Sequence, residues 1–127
     1  MSRFRLAVVG RGHLGTIHAR LLAGREDARL VAVVDPSEAA RNRVAEAHGC
    51  EALADPAELI GRIDAAVVAA PTGLHAAVVL PLLEAGIDLL VEKPLAATIE
   101  DARGIAAAAR RLGRIVSVGH VERFNPA

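Results

Sequence analysis

The tightest constraint on this chain lies at residues 10–15, where Gly10-Arg11-Gly12-His13-Leu14-Gly15 places glycines with the spacing G-x-G-x-x-G. The motif follows an aliphatic run, Phe4 to Val9, and leads into a segment, His13 to Ala23, with apolar residues at Leu14, Ile17, Leu21 and Leu22. A short continuous apolar run ending in glycine predicts a central parallel strand. Apolar residues spaced i, i+3, i+7 predict a helix with one buried face, here closed by Gly24. Gly10 permits a tight turn, Gly12 keeps side-chain bulk away from an approaching anion, and Gly15 lets the helix pack closely on the strand. The free N–H groups of the first helical turn, at the positive end of the helix dipole, then form an anion site. In this strand–turn–helix setting the spacing predicts that the anion is the pyrophosphate of a dinucleotide.

The rest of the chain repeats the same alternation. Leu30 to Val34 reads as the second strand. Asp35-Pro36-Ser37 then turns into a helix capped by Ser37, with Ala40, Val44 and Ala47 inside and Gly49 as its stop. A short third strand fits around Cys50 to Ala52, and Asp55-Pro56 reads as the cap and first-turn proline of a short helix reaching about Ile60. Ile63 to Ala70 is the most apolar segment and is expected as a mid-sheet strand. A helix over Gly73 to Ala85 follows, stopped by Gly86, with Pro81 expected to kink or break it. Asp88 to Glu92 reads as a fifth strand, Thr98 with Asp101 opens a long helix ending near Gly113, and Ile115 to Val118 is the sixth strand. Strands alternating with helices across short turns require parallel strands with right-handed crossovers. The fold class is therefore α/β, a single doubly wound Rossmann-type domain over 1–119, with strand order 3-2-1-4-5-6.

Asp35 ends the second strand, twenty residues beyond Gly15. A carboxylate there accepts hydrogen bonds from both adenosine ribose hydroxyls and repels a 2′-phosphate, so NAD is expected rather than NADP. Arg41 and Arg43, which would offset a 2′-phosphate, read more simply as the solvated face of the next helix. Arg11 and His13 are candidates to reach phosphate or nicotinamide, with solvated loop side chains as the plain alternative.

Fifteen basic residues balance fifteen acidic ones, which removes the electrostatic case for a nucleic-acid or anionic-membrane partner. Cys50 is the single cysteine, so no intramolecular disulfide is possible. It reads as a small structural residue at a strand, in a reducing cytoplasmic setting. No targeting segment, membrane span or metal-ligand spacing is read. Fourteen of the basic residues are arginine and one is lysine, Lys93. A lone lysine in an arginine-rich chain points to a task that a planar, permanently charged guanidinium does not perform.

Lys93 sits in Glu92-Lys93-Pro94, at the end of the fifth strand, where general dinucleotide-fold logic offers no account of it. This E-K-P turn, with PTGLH after the fourth strand and GHVERFNP after the sixth, resembles the glucose-fructose oxidoreductase, inositol dehydrogenase and rhizopine-catabolism (Gfo/Idh/MocA) family over the whole chain. The resemblance implies that Lys93 is catalytic, set between cofactor and substrate, with a cis Lys93–Pro94 bond aiming it into the cleft. An ammonium beside a developing alkoxide lowers the cost of removing the hydroxyl proton as hydride leaves. It further implies that Pro71, Thr72 and His75 lie along the cofactor, although His75 also reads as a capping or core histidine. Glu92 is expected to contact the nicotinamide ribose, and Pro94 to belong to the same cofactor-binding turn. His120, Arg123 and Asn125 fall on the substrate side, and residues 120–127 begin a connection to a second, substrate-binding domain that would also carry the homo-oligomer interface.

GHVERFNPA looks like the branch acting on nucleotide-activated amino sugars, such as UDP-N-acetylglucosamine 3-dehydrogenases. The expected substrate is a small sugar or nucleotide sugar, and the chain without its second domain is expected to bind NAD with little turnover. Two other readings stand beside this one: a non-catalytic module that senses NAD(H) or binds CoA, and the cofactor half of a dihydrodipicolinate reductase relative, which would not be expected to carry E-K-P.

Overall fold

The structure, a computed structural model, describes residues 4–10 and 13–119, with the backbone alone at 13–15. Six parallel strands form one sheet in the order β3-β2-β1-β4-β5-β6, the order expected. They are β1 (Phe4–Val9), β2 (Ala28–Val34), β3 (Glu51–Leu53), β4 (Ala65–Val68), β5 (Asp88–Glu92) and β6 (Val116–Gly119). Four α-helices connect them, α1 (His13–Ala23), α2 (Glu38–His48), α3 (His75–Glu84) and α4 (Ile99–Leu112), with 3-10 turns at Pro56–Leu59 and Thr72–Leu74.

Strict alternation along the strands divides the core into two layers. Ala7, Val9, Ala32, Val34, Ala66, Val68, Leu89 and Val91 meet the α3/α4 layer through Val79, Leu82, Leu83 and Ile105. Val8, Val33 and Val67 point to the opposite face, where Ala19 of α1 and Val44 and Ala45 of α2 cover them. Leu30 joins that second layer three residues before Val33, an odd spacing made possible by a register shift between β1 and β2 that leaves Val31 as an extra residue.

Helix ends follow local chemistry. The Ser37 hydroxyl accepts from the Ala40 amide at 3.3 Å and Thr98 Oγ1 from the Asp101 amide at 3.0 Å. Gly49 and Gly113 close α2 and α4 in the left-handed region, at φ of 67° and 65°. At the first 3-10 turn the Ala57 amide donates to Asp55 Oδ1 at 2.9 Å, and Glu58 reaches back to the Asp55 amide at 3.1 Å.

Four expectations change in detail. Pro81 does not break α3, which runs continuously from His75 to Glu84 with the proline on its exposed side. Leu21 is solvent-facing, and the inner side of α1 is formed by Ala19, partly buried Leu22 and His18. On α2 the third inner residue is Ala45 instead of Ala47, because the helix packs along its Ala40–Val44 line. Gly24 follows α1 without a positive φ.

Candidate functional site

The carboxyl ends of β1, β2, β4 and β5 lie side by side along one edge of the sheet. The chain leaves β1 for β2 on one side, while β4 lies on the other, which makes this the switch point where ligands of open α/β sheets bind. Gly10 stands at the centre. Its amide donates to the Val34 carbonyl at 2.7 Å, while the Ala69 amide donates to Val9 at 2.8 Å, so the glycine turn is clamped between β2 and β4. Gly10 has φ of 89°, and a Cβ there would lie 2.7 Å from the Ala70 nitrogen and 2.8 Å from the Ala69 carbonyl carbon. Both facts exclude a side chain, as the sequence expects of the glycine that makes the tight turn. Gly15 lies in the first turn of α1, of which only the backbone is described at His13, Leu14 and Gly15; Arg11 and Gly12 lie outside the described residues.

Asp35 follows the end of β2, with its amide donating to Leu53 of β3 at 3.1 Å. Its Oδ1 accepts from the Ser37 amide at 2.8 Å, an Asx turn that orients the carboxylate, and the residue is partly exposed at the sheet edge. Arg41 is not the plain solvated side chain expected. Its guanidinium folds back from α2 to donate to the Asp35 and Pro36 carbonyls at 3.3 and 3.2 Å, which ties the helix to the turn.

Beyond β4, Pro71 is exposed and Thr72, partly buried, opens the 3-10 turn into α3. His75 is 1% exposed, with Nε2 at 2.8 Å from the Ala70 carbonyl and Nδ1 at 3.1 Å from the Leu95 carbonyl. A side chain so enclosed ties the loop after β4 to the loop after β5.

Lys93 and Pro94 are exposed at the end of β5, joined by a cis peptide bond, as the resemblance implies. The Lys93 amide donates to the Gly119 carbonyl of β6 at 3.2 Å. Glu92 is only 5% exposed, and its carboxylate is engaged by Nε2 of His18 from α1. The carboxylate expected at the ribose thus has a partner within the protein, and no sequence signal was read for that partner, His18. A signal was present: His18 lies four residues from both Leu14 and Leu22, on the inward side of α1.

Burial pushes the Cys50 thiol up, consistent with a structural residue, since a raised thiol holds little thiolate at neutral pH. Among the described residues no three His, Cys, Asp or Glu side chains are grouped to hold a metal ion, and no helix is long and apolar enough to cross a membrane. His120, Arg123 and Asn125 lie outside the described residues.

These features fit a dinucleotide: a glycine turn with no room for a Cβ, an oriented carboxylate at the end of the adjacent β2, and a cation at the end of β5, beyond β4 on the other side. Comparison with known proteins agrees. The family model for the Gfo/Idh/MocA oxidoreductases, described as an oxidoreductase family with an NAD-binding Rossmann fold, matches residues 4–120. Inositol 2-dehydrogenase 1 of Saccharopolyspora erythraea is 43% identical over 97% of this chain and 38% of its own length. The structure of UDP-N-acetylglucosamine 3-dehydrogenase from Acidithiobacillus ferrooxidans superimposes with a TM-score of 0.90 at 31% identity, over 100% of this chain and 42% of that one. Scyllo-inositol dehydrogenase from Lactobacillus casei, solved with bound NAD(H) and scyllo-inositol, gives a TM-score of 0.89 at 25% identity, over 98% of this chain and 38% of that one. The chain therefore spans about two fifths of the length of the curated relatives it matches, and it belongs to the Gfo/Idh/MocA oxidoreductase family, as an NAD-binding Rossmann domain.

Proposed function

We propose that this domain holds NAD(H) across the ends of β1, β2, β4 and β5 and presents Lys93 to the ring hydroxyl of an inositol, sugar or nucleotide-sugar substrate. The nicotinamide supplies hydride acceptance and donation. The observation that carries the reading is the placement of Gly10, Asp35 and Lys93 at the carboxyl ends of β1, β2 and β5, along one edge of the sheet. In this reading the backbone of Gly10, Gly12 and Gly15 and the first-turn amides of α1, from His13 and Leu14 onward, receive the pyrophosphate, with Arg11 and His13 beside it. Asp35 accepts from the adenosine ribose hydroxyls and disfavours a 2′-phosphate. Pro71 and Thr72 border the cofactor from the loop after β4, and Pro94 shapes the turn that carries Lys93.

As a hydride leaves the substrate carbon with its electron pair, the hydroxyl on that carbon releases its proton, and the Lys93 ammonium stabilises the negative charge growing on oxygen. The base that receives the proton and the substrate pocket belong, in this proposal, to a second domain entered through residues 120–127, with His120, Arg123 and Asn125 at its border. Homo-oligomer assembly and a cytoplasmic location complete the reading. Relatives named as dehydrogenases of inositol, scyllo-inositol and UDP-N-acetylglucosamine support it over a non-catalytic sensor.

NADH fluorescence titration of the purified chain tests the cofactor seat. NADH is expected to bind at least tenfold more tightly than NADPH, and Asp35→Ala to reduce that preference to about threefold or less. NADPH bound as tightly as NADH by the unaltered chain would show that Asp35 does not select the cofactor. Because Lys93 is the single lysine, amine acylation followed by mass spectrometry reads its exposure directly, and NAD is expected to shield it.

A further inference from the structure

On β5, Leu89 and Val91 face the α3/α4 layer, and Leu90 packs toward the layer covered by α1. Glu92, two residues beyond Leu90, therefore emerges on the α1 side at the end of the strand. There it meets His18, in the second turn of α1. The two side chains are 6% and 12% exposed and are separated by 74 residues of sequence. An ionised carboxylate only accepts, so His18 Nε2 carries the hydrogen of this bond. A carboxylate withdrawn from water is costly to keep without a partner, and an apolar pair of similar volume would fill the same space more cheaply. Ala19 and Leu22, near His18 on α1, belong to an apolar cluster with Val8, Leu30 and Val33. The polar pair is set on the same helix as that cluster, and it connects two particular places: the helix that opens behind the glycine turn and the residue immediately before Lys93.

Resting on the reading of this edge as the NAD(H) seat with Lys93 as its catalytic lysine, we propose that His18 is a positioning residue. Through Glu92 it fastens the Lys93–Pro94 turn to α1, so that a dinucleotide seated at the start of α1 and the Lys93 ammonium keep one fixed spacing. The bond from the Lys93 amide to Gly119 holds the turn from the β6 side, and the His18–Glu92 pair holds it from the α1 side.

Two readouts decide the matter. In the first, which needs no cofactor, His18→Ala is expected to speed hydrogen exchange of the Lys93 amide at least tenfold relative to amides in the middle of β2, such as Ala32. In the second, NADH binding to His18→Ala is expected to weaken less than threefold, while the protection of Lys93 from acylation by bound NADH falls at least fivefold. His18→Gln, which keeps a donor at this position, is expected to return both to within twofold of the unaltered chain. Exchange that accelerates equally throughout the sheet would reduce the pair to general stability. An unchanged Lys93 amide would remove the proposed hold altogether. If the unaltered chain fails to bind NADH, the cofactor reading falls, and the exchange measurement still decides whether His18 fixes the turn. Should His18→Ala fail to fold, His18→Leu fills the volume without a donor and is judged by the same outcomes.

Discussion

Two carbonyl groups converge on His75, from Ala70 and Leu95, and a neutral imidazole donates to only one of them at a time. The ring therefore acts as a buried strut between the loops that follow β4 and β5, which border the proposed cofactor seat. His75→Ala leaves a cavity and removes the one N–H that the two carbonyls share, and is expected to cost about 3 kcal/mol of stability, measured by urea denaturation. Its NADH affinity, measured where the variant is fully folded, should change far less than that of Gly10→Ala, whose new Cβ collides with the backbone of Ala69 and Ala70. The reverse order would mean that His75 touches the ligand. The strand-end positions of Gly10 and Asp35 were legible from the glycine spacing and the strand pattern, and that of Lys93 from the strand pattern, with its role implied by the family resemblance. His75 was open to two readings, since a histidine at a helix start satisfies either a ligand or the backbone, and only the positions of Ala70 and Leu95 separate them. His18 was missed because its partner lies 74 residues away; no local pattern relates the two until the strand order is known.

At the level of elements, hydrophobic period and end signals located nearly every strand and helix, and the errors cluster where packing overrides local preference. Pro81 is the clearest. Its nitrogen cannot donate to the Ala77 carbonyl four residues earlier, a loss of about 3 kcal/mol in a helix interior. Even so α3 persists, because Val79, Leu82 and Leu83 on its other side are anchored in the core. Pro81→Ala should accordingly stabilise the chain by about 1 kcal/mol, the recovered hydrogen bond being offset in part by the greater freedom of the unfolded chain; a lower midpoint in urea would show that the proline ring itself is packed.

Between strands, Asp64 joins the start of β1 to the loop before β4 by accepting from the Arg5 amide at 2.8 Å and its guanidinium at 3.0 Å. The side-chain bond from Arg5, aided by the amide, holds the Asp64 carboxyl below its usual range. A lowered folded value means that the stabilisation is complete above the unfolded carboxylate value, about 3.9, and is lost as pH falls through the folded one. The stability difference between the unaltered chain and Asp64→Asn should therefore be constant from pH 5 to 8 and shrink below about pH 4. A difference that grows on acidification would reverse the assignment.

The whole molecule shows why topology could be reached from sequence while the site could be reached only in part. Right-handed crossovers and a central apolar strand leave few sheet orders available, but the proposed cofactor seat draws on four strand ends contributed by segments from Gly10 to Lys93, and their mutual spacing is a property of the packed sheet. That distribution has a thermodynamic consequence. A ligand bound across strands that cannot separate without unfolding stabilises the entire chain, and not one loop. Binding to the folded form alone contributes RT ln(1 + [L]/Kd), about 2.7 kcal/mol at a hundredfold excess over Kd. With roughly 4 °C for each kcal/mol in a domain of this size, NADH at that excess should raise Tm by about 10 °C in a single unchanged transition. NADPH at the same concentration should raise it distinctly less, and Asp35→Ala should narrow the gap, each rise being taken from that protein's own ligand-free Tm because the variant also loses the bond from the Ser37 amide. A Tm that does not respond to millimolar NADH, or a transition that splits in two when NADH is added, would mean that the four strand ends do not act as one site.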